Sequence, residues 1–192
     1  MSDRTPTGDP WLLTPGPLTT TPSVKRAMQR DVGSRDDDLR ATDGRIRRRL
    51  LEIADATEDH ACVLLQGSGT FVVEAMLGTF VPRDGHLLVA VNGAYGRRMA
   101  RIAKVMGRRV STFEGPEEAP FSLDRLEATL VIAQDVTHVA VVHCETTTGV
   151  LNPVDAAAVL VRAAGAALLV DAMSAFGSPA RPLLRGDGRR QQ

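Results

Sequence analysis

The chain has 192 residues, a formal net charge of zero and 43% hydrophobic residues. That length suits one domain, or one domain plus a fragment, and the composition allows a real core. Zero net charge argues against nucleic-acid or anionic-membrane binding driven by bulk charge. No apolar run reaches the roughly 20 residues of a membrane span, and Met1 to Pro10 has no apolar signal core. Cys62 and Cys144, the only cysteines, each lie in an apolar run with no CxxC spacing. They read as buried thiols in a reducing, cytoplasmic setting.

Residues 1–10 read as a loose arm, and the proline-rich run 14–22 excludes regular helix or central strand. Ser23 is placed to cap a short helix over Val24 to Arg30. A second helix is predicted from Thr42 to Ala54, with Ile46, Leu50, Ile53 and Ala54 on one face and Arg45, Arg47, Arg48 and Arg49 mostly on the other. Ala61 to Leu65 reads as a buried strand, followed by Gly67-Ser68-Gly69 and a helix from Thr70 to Phe80. His86 to Val91 is a second strand, and a helix from Tyr95 to Met106 follows Asn92-Gly93. Val110 to Phe113 is a short strand, and Ser122 caps a helix over Leu123 to Leu130. His138 to His143 is a strand, Asn152-Pro153 opens a helix through Val154 to Ala164, and Ala166 to Val170 is the last strand.

Short apolar runs alternating with helical segments predict an α/β fold, a mainly parallel sheet covered on both faces, with right-handed crossovers by default. Ligands of such sheets bind at the carboxyl ends of strands. That rule selects Gly67–Thr70, Asn92–Tyr95, Glu145–Gly149 and Asp171–Ser174.

Gly67-Ser68-Gly69-Thr70 follows a strand and opens a helix. Its backbone N–H groups and hydroxyls suit a phosphate, or simply a capped turn. It lacks the Gly-Lys-Ser/Thr of a Walker loop and the full dinucleotide spacing. Tyr95, the only tyrosine, is placed to stack on a flat heteroaromatic ligand, or to fill a rim position. The hydroxyls of Thr146, Thr147 and Thr148 suit a ring substituent, or a turn that caps its own backbone. His138 and His143 read as satisfied structural histidines. Asp171 at a strand end needs a cation or several donors. A protonated pyridine nitrogen is one answer, and capping of the Ala172-Met173-Ser174 turn is the other. Phosphate cradle, stacking ring, hydroxyl cluster and pyridine partner together describe a pyridoxal 5′-phosphate site.

The run Leu12-Leu13-Thr14-Pro15-Gly16-Pro17-Leu18-Thr19-Thr20 resembles the opening of the 2-aminoethylphosphonate–pyruvate transaminases. Gly33 to Asp36, Gly67 to Phe71, Asn92 to Arg97, Glu145 to Pro153 and Asp171 to Ser174 continue the resemblance in order, over Leu12 to Gly177. The alanine–glyoxylate and serine–pyruvate aminotransferases are the nearest competitor. The Gly-Ser-Gly-Thr and Glu-Thr-Thr-Thr-Gly forms favour the phosphonate branch.

The resemblance implies a three-layer sandwich, the N-terminal part of the large domain of pyridoxal-phosphate fold type I, without the small C-terminal domain. It implies a homodimer, with 2-aminoethylphosphonate and pyruvate converted to phosphonoacetaldehyde and alanine. Carried over by motif, Ser68, Gly69 and Thr70 hold the cofactor phosphate, Tyr95 stacks on the ring, Thr147 contacts the ring hydroxyl region, and Asp171 pairs with the pyridine nitrogen. It further implies an arm over 1–11, a partial large domain over 12–179 and an aberrant or disordered tail over 180–192.

One departure bears on catalysis. Family members carry a Schiff-base lysine a couple of dozen residues after the aspartate, whereas the only lysines here are Lys25 and Lys104. No catalytic residue is therefore assigned, and little or no turnover is expected from this chain alone. A frameshift or premature stop near Pro179 would produce the abrupt Arg/Gly/Gln tail, and the other reading frames of the coding DNA test that idea. The competing readings are a non-catalytic remnant that binds the cofactor non-covalently or pairs with a full-length subunit, and an unrelated phosphate-binding domain such as a nucleotide binder. A sheet without its later strands is expected to leave an exposed edge and bare apolar faces.

Overall fold

The computed structural model describes residues 5, 7–14, 16–56 and 59–178; the tail expected over 180–192 lies outside them. The described chain forms two compact units, one up to residue 64 together with 177 and 178, the other residues 65–176.

The first unit holds two helices. Helix α1 spans Pro22–Ala27, shorter and earlier than expected. Thr21, not Ser23, caps it by accepting from the Val24 N–H at 3.4 Å. Pro22 takes the first helical position, where its missing N–H costs nothing. Helix α2 spans Asp37–Ile53 and starts five residues before the expected Thr42. Asp37 and Asp38 in its first turn complement the electropositive helix start. None of its residues is buried, and Asp43–Arg47 and Arg49–Glu52 ion pairs lace its surface.

The predicted strand at residues 61–65 does not form, and Val63 there is 70% exposed. An apolar run becomes a strand only with a ladder partner, and among the described residues none lies beside it. Cys62 is accordingly a half-buried thiol and not a core one, and Cys144 is half-buried as well.

The second unit is a parallel sheet between helices. In chain order it runs α3 (Gly69–Phe80), β1 (His86–Val91), α4 (Ala94–Val105), β2 (Arg109–Glu114), α5 (Leu123–Ile132), β3 (His138–Val142), β4 (Cys144–Glu145), β5 (Val150–Leu151), α6 (Val154–Ala163) and β6 (Ala167–Asp171). The main sheet has the order β2-β1-β3-β6, every pair parallel. All six residues of β1 are buried, which explains why it reads as a continuous apolar run and does not alternate.

Each strand splits its side chains between two cores. Leu87, Val89, Val91, Ala140, Val142 and Leu169 pack against Val73 and Leu77 of α3 and Met99, Ala100 and Ala103 of α4. Leu88, Ala90, Val139 and Val141 pack on the opposite face against Leu126 and Leu130 of α5 and Ala157 and Val161 of α6. The period-2 alternation of the strands thus produces the expected three layers. A two-stranded antiparallel hairpin, β4–β5, follows β3 and has no counterpart in the sequence reading.

At the strand starts, the buried His86 ring lies between Asp135 at 3.0 Å and Ser111 at 2.8 Å. The hydrogen bond from His86, with Arg109 beside it, holds the Asp135 carboxyl below its ordinary range. Among the described residues β6 pairs on one side only, and Phe71, Val72 and Phe80 of α3 are exposed. The expected bare sheet faces are not seen among the described residues, where α3 and α4 cover one face of the sheet and α5 and α6 the other.

Candidate functional site

The sheet order aligns the carboxyl ends of β1, β3 and β6, and Val142 stands opposite Asp171 in the β3–β6 register. Three of the four selected segments leave from these ends. The fourth opens α3.

Gly67 has φ +122°, which a side chain rarely adopts, and it turns the chain into α3. Ser68 caps that helix, its hydroxyl accepting from the Phe71 N–H at 3.4 Å. Ser68 and Thr70 are exposed and Gly69 is half-buried. A Cβ on Gly69 would lie 1.1 Å from Cε of Met173. The start of α3 and the loop after Asp171 therefore touch at Gly69.

Asp171 is the last residue of β6 and is half-buried, not deeply buried. Its backbone carbonyl accepts from the His143 N–H at 2.8 Å, and its Oδ1 accepts from the Met173 N–H at 3.1 Å. The turn-capping reading of Asp171 is thus realised on one carboxylate oxygen. Ser174 donates to the Cys144 carbonyl at 3.0 Å, which fastens the same loop to β4.

Tyr95 is half-buried in the first turn of α4. Its N–H donates to Oε1 of Glu145 at 3.2 Å, and the Gly96 N–H donates to Oε2 at 3.4 Å. Thr147 is exposed and donates to the same Oε1 at 3.0 Å. Glu145 is completely buried. A carboxylate can be buried here because an electropositive helix start and a hydroxyl surround it. Gly93 makes room, since a Cβ there would lie 2.2 Å from Cγ of Glu145. The Thr-rich turn is closed by Gly149, whose N–H donates to the Glu145 carbonyl at 2.8 Å with φ +74°.

Asn92 and Asn152 form a second buried polar pair. Each side-chain amide donates to the other, at 2.9 and 3.0 Å. Asn92 also donates to the Ala119 carbonyl, Asn152 donates to the Val142 carbonyl, and Oδ1 of Asn152 accepts from the Phe121 N–H. The pair pins the loop after β1 to the segment after β5.

The six predicted site residues thus fall on two connected paths. One runs Thr70, Arg98, Tyr95, Glu145, Thr147, because Arg98 donates to Thr70 at 3.4 Å and its guanidinium carbon lies 5.0 Å from the Tyr95 ring centroid. The other runs from Ser68 and its neighbour Gly69 through Met173 to Asp171 and His143.

Sequence reasoning missed three participants. Glu145 was read only as a member of a polar cluster, although an acid ending an apolar strand across from a strand-end glycine is the available signal. Arg98 carries the signal of i, i+3 spacing from Tyr95. His143 departs from the expectation of a satisfied histidine: its Nδ1 is buried without a hydrogen-bond partner. Burial lowers its pKa, with the Asp155 charge opposing. His138 meets the expectation through Thr137 at 2.9 Å. Among the described residues no cluster of metal-ligating side chains occurs, and no helix is long and apolar enough to cross a membrane.

Comparison with known proteins gives this arrangement a family. The profile of the class-V aminotransferases matches residues 24–181. The 2-aminoethylphosphonate–pyruvate transaminase of Pseudomonas entomophila is 50% identical over 169 residues, covering 88% of this chain and 46% of the relative. A protein of the same name from Polaromonas sp. is 51% identical over 175 residues, covering 90% of this chain and 47% of the relative. The crystal structure of alanine–glyoxylate aminotransferase from Nostoc sp. superposes with a TM-score of 0.81 at 32% identity, covering 89% of this chain and 45% of that one. The chain spans about half the length of the relatives it matches. It belongs to the class-V aminotransferase family.

Proposed function

We propose that this chain is the cofactor-binding portion of a pyridoxal-phosphate-dependent 2-aminoethylphosphonate–pyruvate transaminase. The reaction moves the amino group of 2-aminoethylphosphonate to pyruvate, giving phosphonoacetaldehyde and alanine. The observation that carries the cofactor reading is the pair of contact paths joining Ser68, Gly69, Thr70, Tyr95, Thr147 and Asp171 at the carboxyl ends of the strands. The substrate reading rests on relatives of that name at half identity.

The donor set suits pyridoxal phosphate. The first turn of α3 offers backbone N–H groups and the Ser68 and Thr70 hydroxyls to a phosphate. Tyr95 offers a ring face, and Thr147 offers a hydroxyl to a ring substituent. Asp171, half-exposed at its strand end, holds a proton on a pyridine nitrogen through an ion pair. When bound, the cofactor supplies an electron-poor ring that accepts the electron pair released at the amino-bearing carbon. Glu145 orients two of these groups by gripping the backbone of Tyr95 and the hydroxyl of Thr147.

Neither lysine serves as covalent anchor in this proposal. Lys25 is engaged by Asp9 at 2.6 Å. Lys104 lies in the last turn of α4. At about 1.5 Å rise per residue it stands roughly 14 Å along the helix from Tyr95. The test is to titrate the chain with pyridoxal phosphate, then supply 2-aminoethylphosphonate and pyruvate and follow alanine. Saturable binding that borohydride does not fix, with little or no alanine, is the expected result. Absence of binding refutes the cofactor reading, and robust borohydride-sensitive turnover refutes the absence of an anchor.

The likeness to the Nostoc aminotransferase favours a second reading, an alanine–glyoxylate-type enzyme. Glycine formed from alanine and glyoxylate in excess of alanine formed from 2-aminoethylphosphonate and pyruvate would select it. A cytoplasmic homodimer belongs to the proposal, and sedimentation equilibrium tests the dimer.

A further inference from the structure

Arg98 is an exposed side chain held by two contacts. Its guanidinium carbon lies 5.0 Å from the centroid of the Tyr95 ring, and one of its nitrogens donates to the Thr70 hydroxyl at 3.4 Å. Its neighbour Arg97 pairs with Glu117, whereas Arg98 enters none of the ion pairs among the described residues. A long exposed side chain pays conformational entropy to stay in one place. This one lies beside the electropositive start of α3 with its charge uncompensated. A planar guanidinium presents paired N–H groups that match two oxygens of a phosphate.

We propose that Arg98 is a binding residue for the cofactor phosphate, its guanidinium pairing with the dianion beside Thr70 while its flat face braces the Tyr95 ring. The proposal rests on the pyridoxal-phosphate reading above. It adds a cation to a cradle that the sequence motif alone builds from neutral donors.

The test compares affinities of the wild-type chain, R98K and R98Q for pyridoxal phosphate and for pyridoxal, which lacks the phosphate, by equilibrium dialysis. Circular dichroism confirms that each variant is folded, which the exposed position of Arg98 favours. A charge-assisted contact of this kind corresponds to about a ten- to hundredfold loss of pyridoxal-phosphate affinity in R98Q. Pyridoxal affinity should change much less, and R98K should recover part of the loss. Unchanged pyridoxal-phosphate affinity in R98Q, with wild-type binding intact, overturns this proposal alone. Equal losses for both compounds also overturn it, because they assign Arg98 to the Tyr95 ring only. A wild-type chain that binds neither compound overturns the cofactor reading and this proposal with it.

Discussion

Replacing Glu145 with alanine removes the one acceptor that serves the Tyr95 N–H, the Gly96 N–H and the Thr147 hydroxyl. The hydroxyl is exposed and can turn to water, so its loss counts for little. The two helix-start N–H groups have no such escape where Glu145 itself is completely buried. Leaving a buried donor unmade costs about 1–3 kcal/mol, and the long distances of 3.2 and 3.4 Å argue for the lower half of that range. The sum is roughly 2–4 kcal/mol, equivalent to a drop of about 4–16 °C in Tm for a chain of this size. E145Q keeps one acceptor oxygen and turns an amide N–H₂ toward the other donor, so it should lose about half as much. Urea denaturation followed by circular dichroism measures both. An E145A variant within about 0.5 kcal/mol of wild type, the spread of ordinary surface substitutions, would refute the claim that this carboxylate organises the start of α4.

Other substitutions and conditions test the remaining packing. G93A pushes a methyl group into Cγ of Glu145 and should cost about 1–3 kcal/mol by denaturant midpoint, as overpacking does. N152A strips partners from Asn92, the Phe121 N–H and the Val142 carbonyl, and roughly 2–4 kcal/mol should be lost in the same measurement. His138 and His143 both have pKa values lowered by burial from 6.5. Their neutral forms are favoured by the fold, so the stability they contribute is complete above 6.5 and is lost as pH falls through their folded values. Tm should therefore decline on acidification below neutrality, and the H138Q/H143Q double variant should show a shallower decline. An unchanged slope would remove both histidines from the account.

Much of this molecule is legible in its residues. The runs at His86 to Val91 and His138 to Val142 are buried on both faces, and such strands announce themselves as continuous apolar stretches. Capping side chains marked α5 at Ser122 and α3 near Ser68, where hydroxyls meet N–H groups. Residues 61–65 misled because apolar composition specifies willingness to be buried, whereas a strand also requires a neighbour to pair with. The helical periodicity of apolar residues starts only after the first turn of α2, so the expected start at Thr42 falls five residues late, although Asp37 and Asp38 suit a helix start. Among the site residues, type and order along the chain were enough to nominate Ser68, Tyr95, Asp171 and the threonine cluster 146–148, whereas Thr147 itself was singled out only by the family resemblance. What joins them was not legible. The Glu145 bridge depends on Gly93 and Glu145 approaching across the gap between two strand ends, and the Arg98 bridge depends on how α3 and α4 pack side by side. Those are tertiary facts, of which the sequence holds only fragments such as the i, i+3 spacing of Tyr95 and Arg98.

In the proposed arrangement the aligned strand ends and the start of α3 form one pyridoxal-phosphate site. A crystal structure of the chain grown with pyridoxal phosphate tests it most directly. Density is expected for the phosphate against the Gly69 and Thr70 N–H groups, for the ring on Tyr95 and for the pyridine nitrogen within hydrogen-bond distance of Asp171. Density for the cofactor elsewhere on the molecule, with Tyr95 and Asp171 untouched, would contradict it.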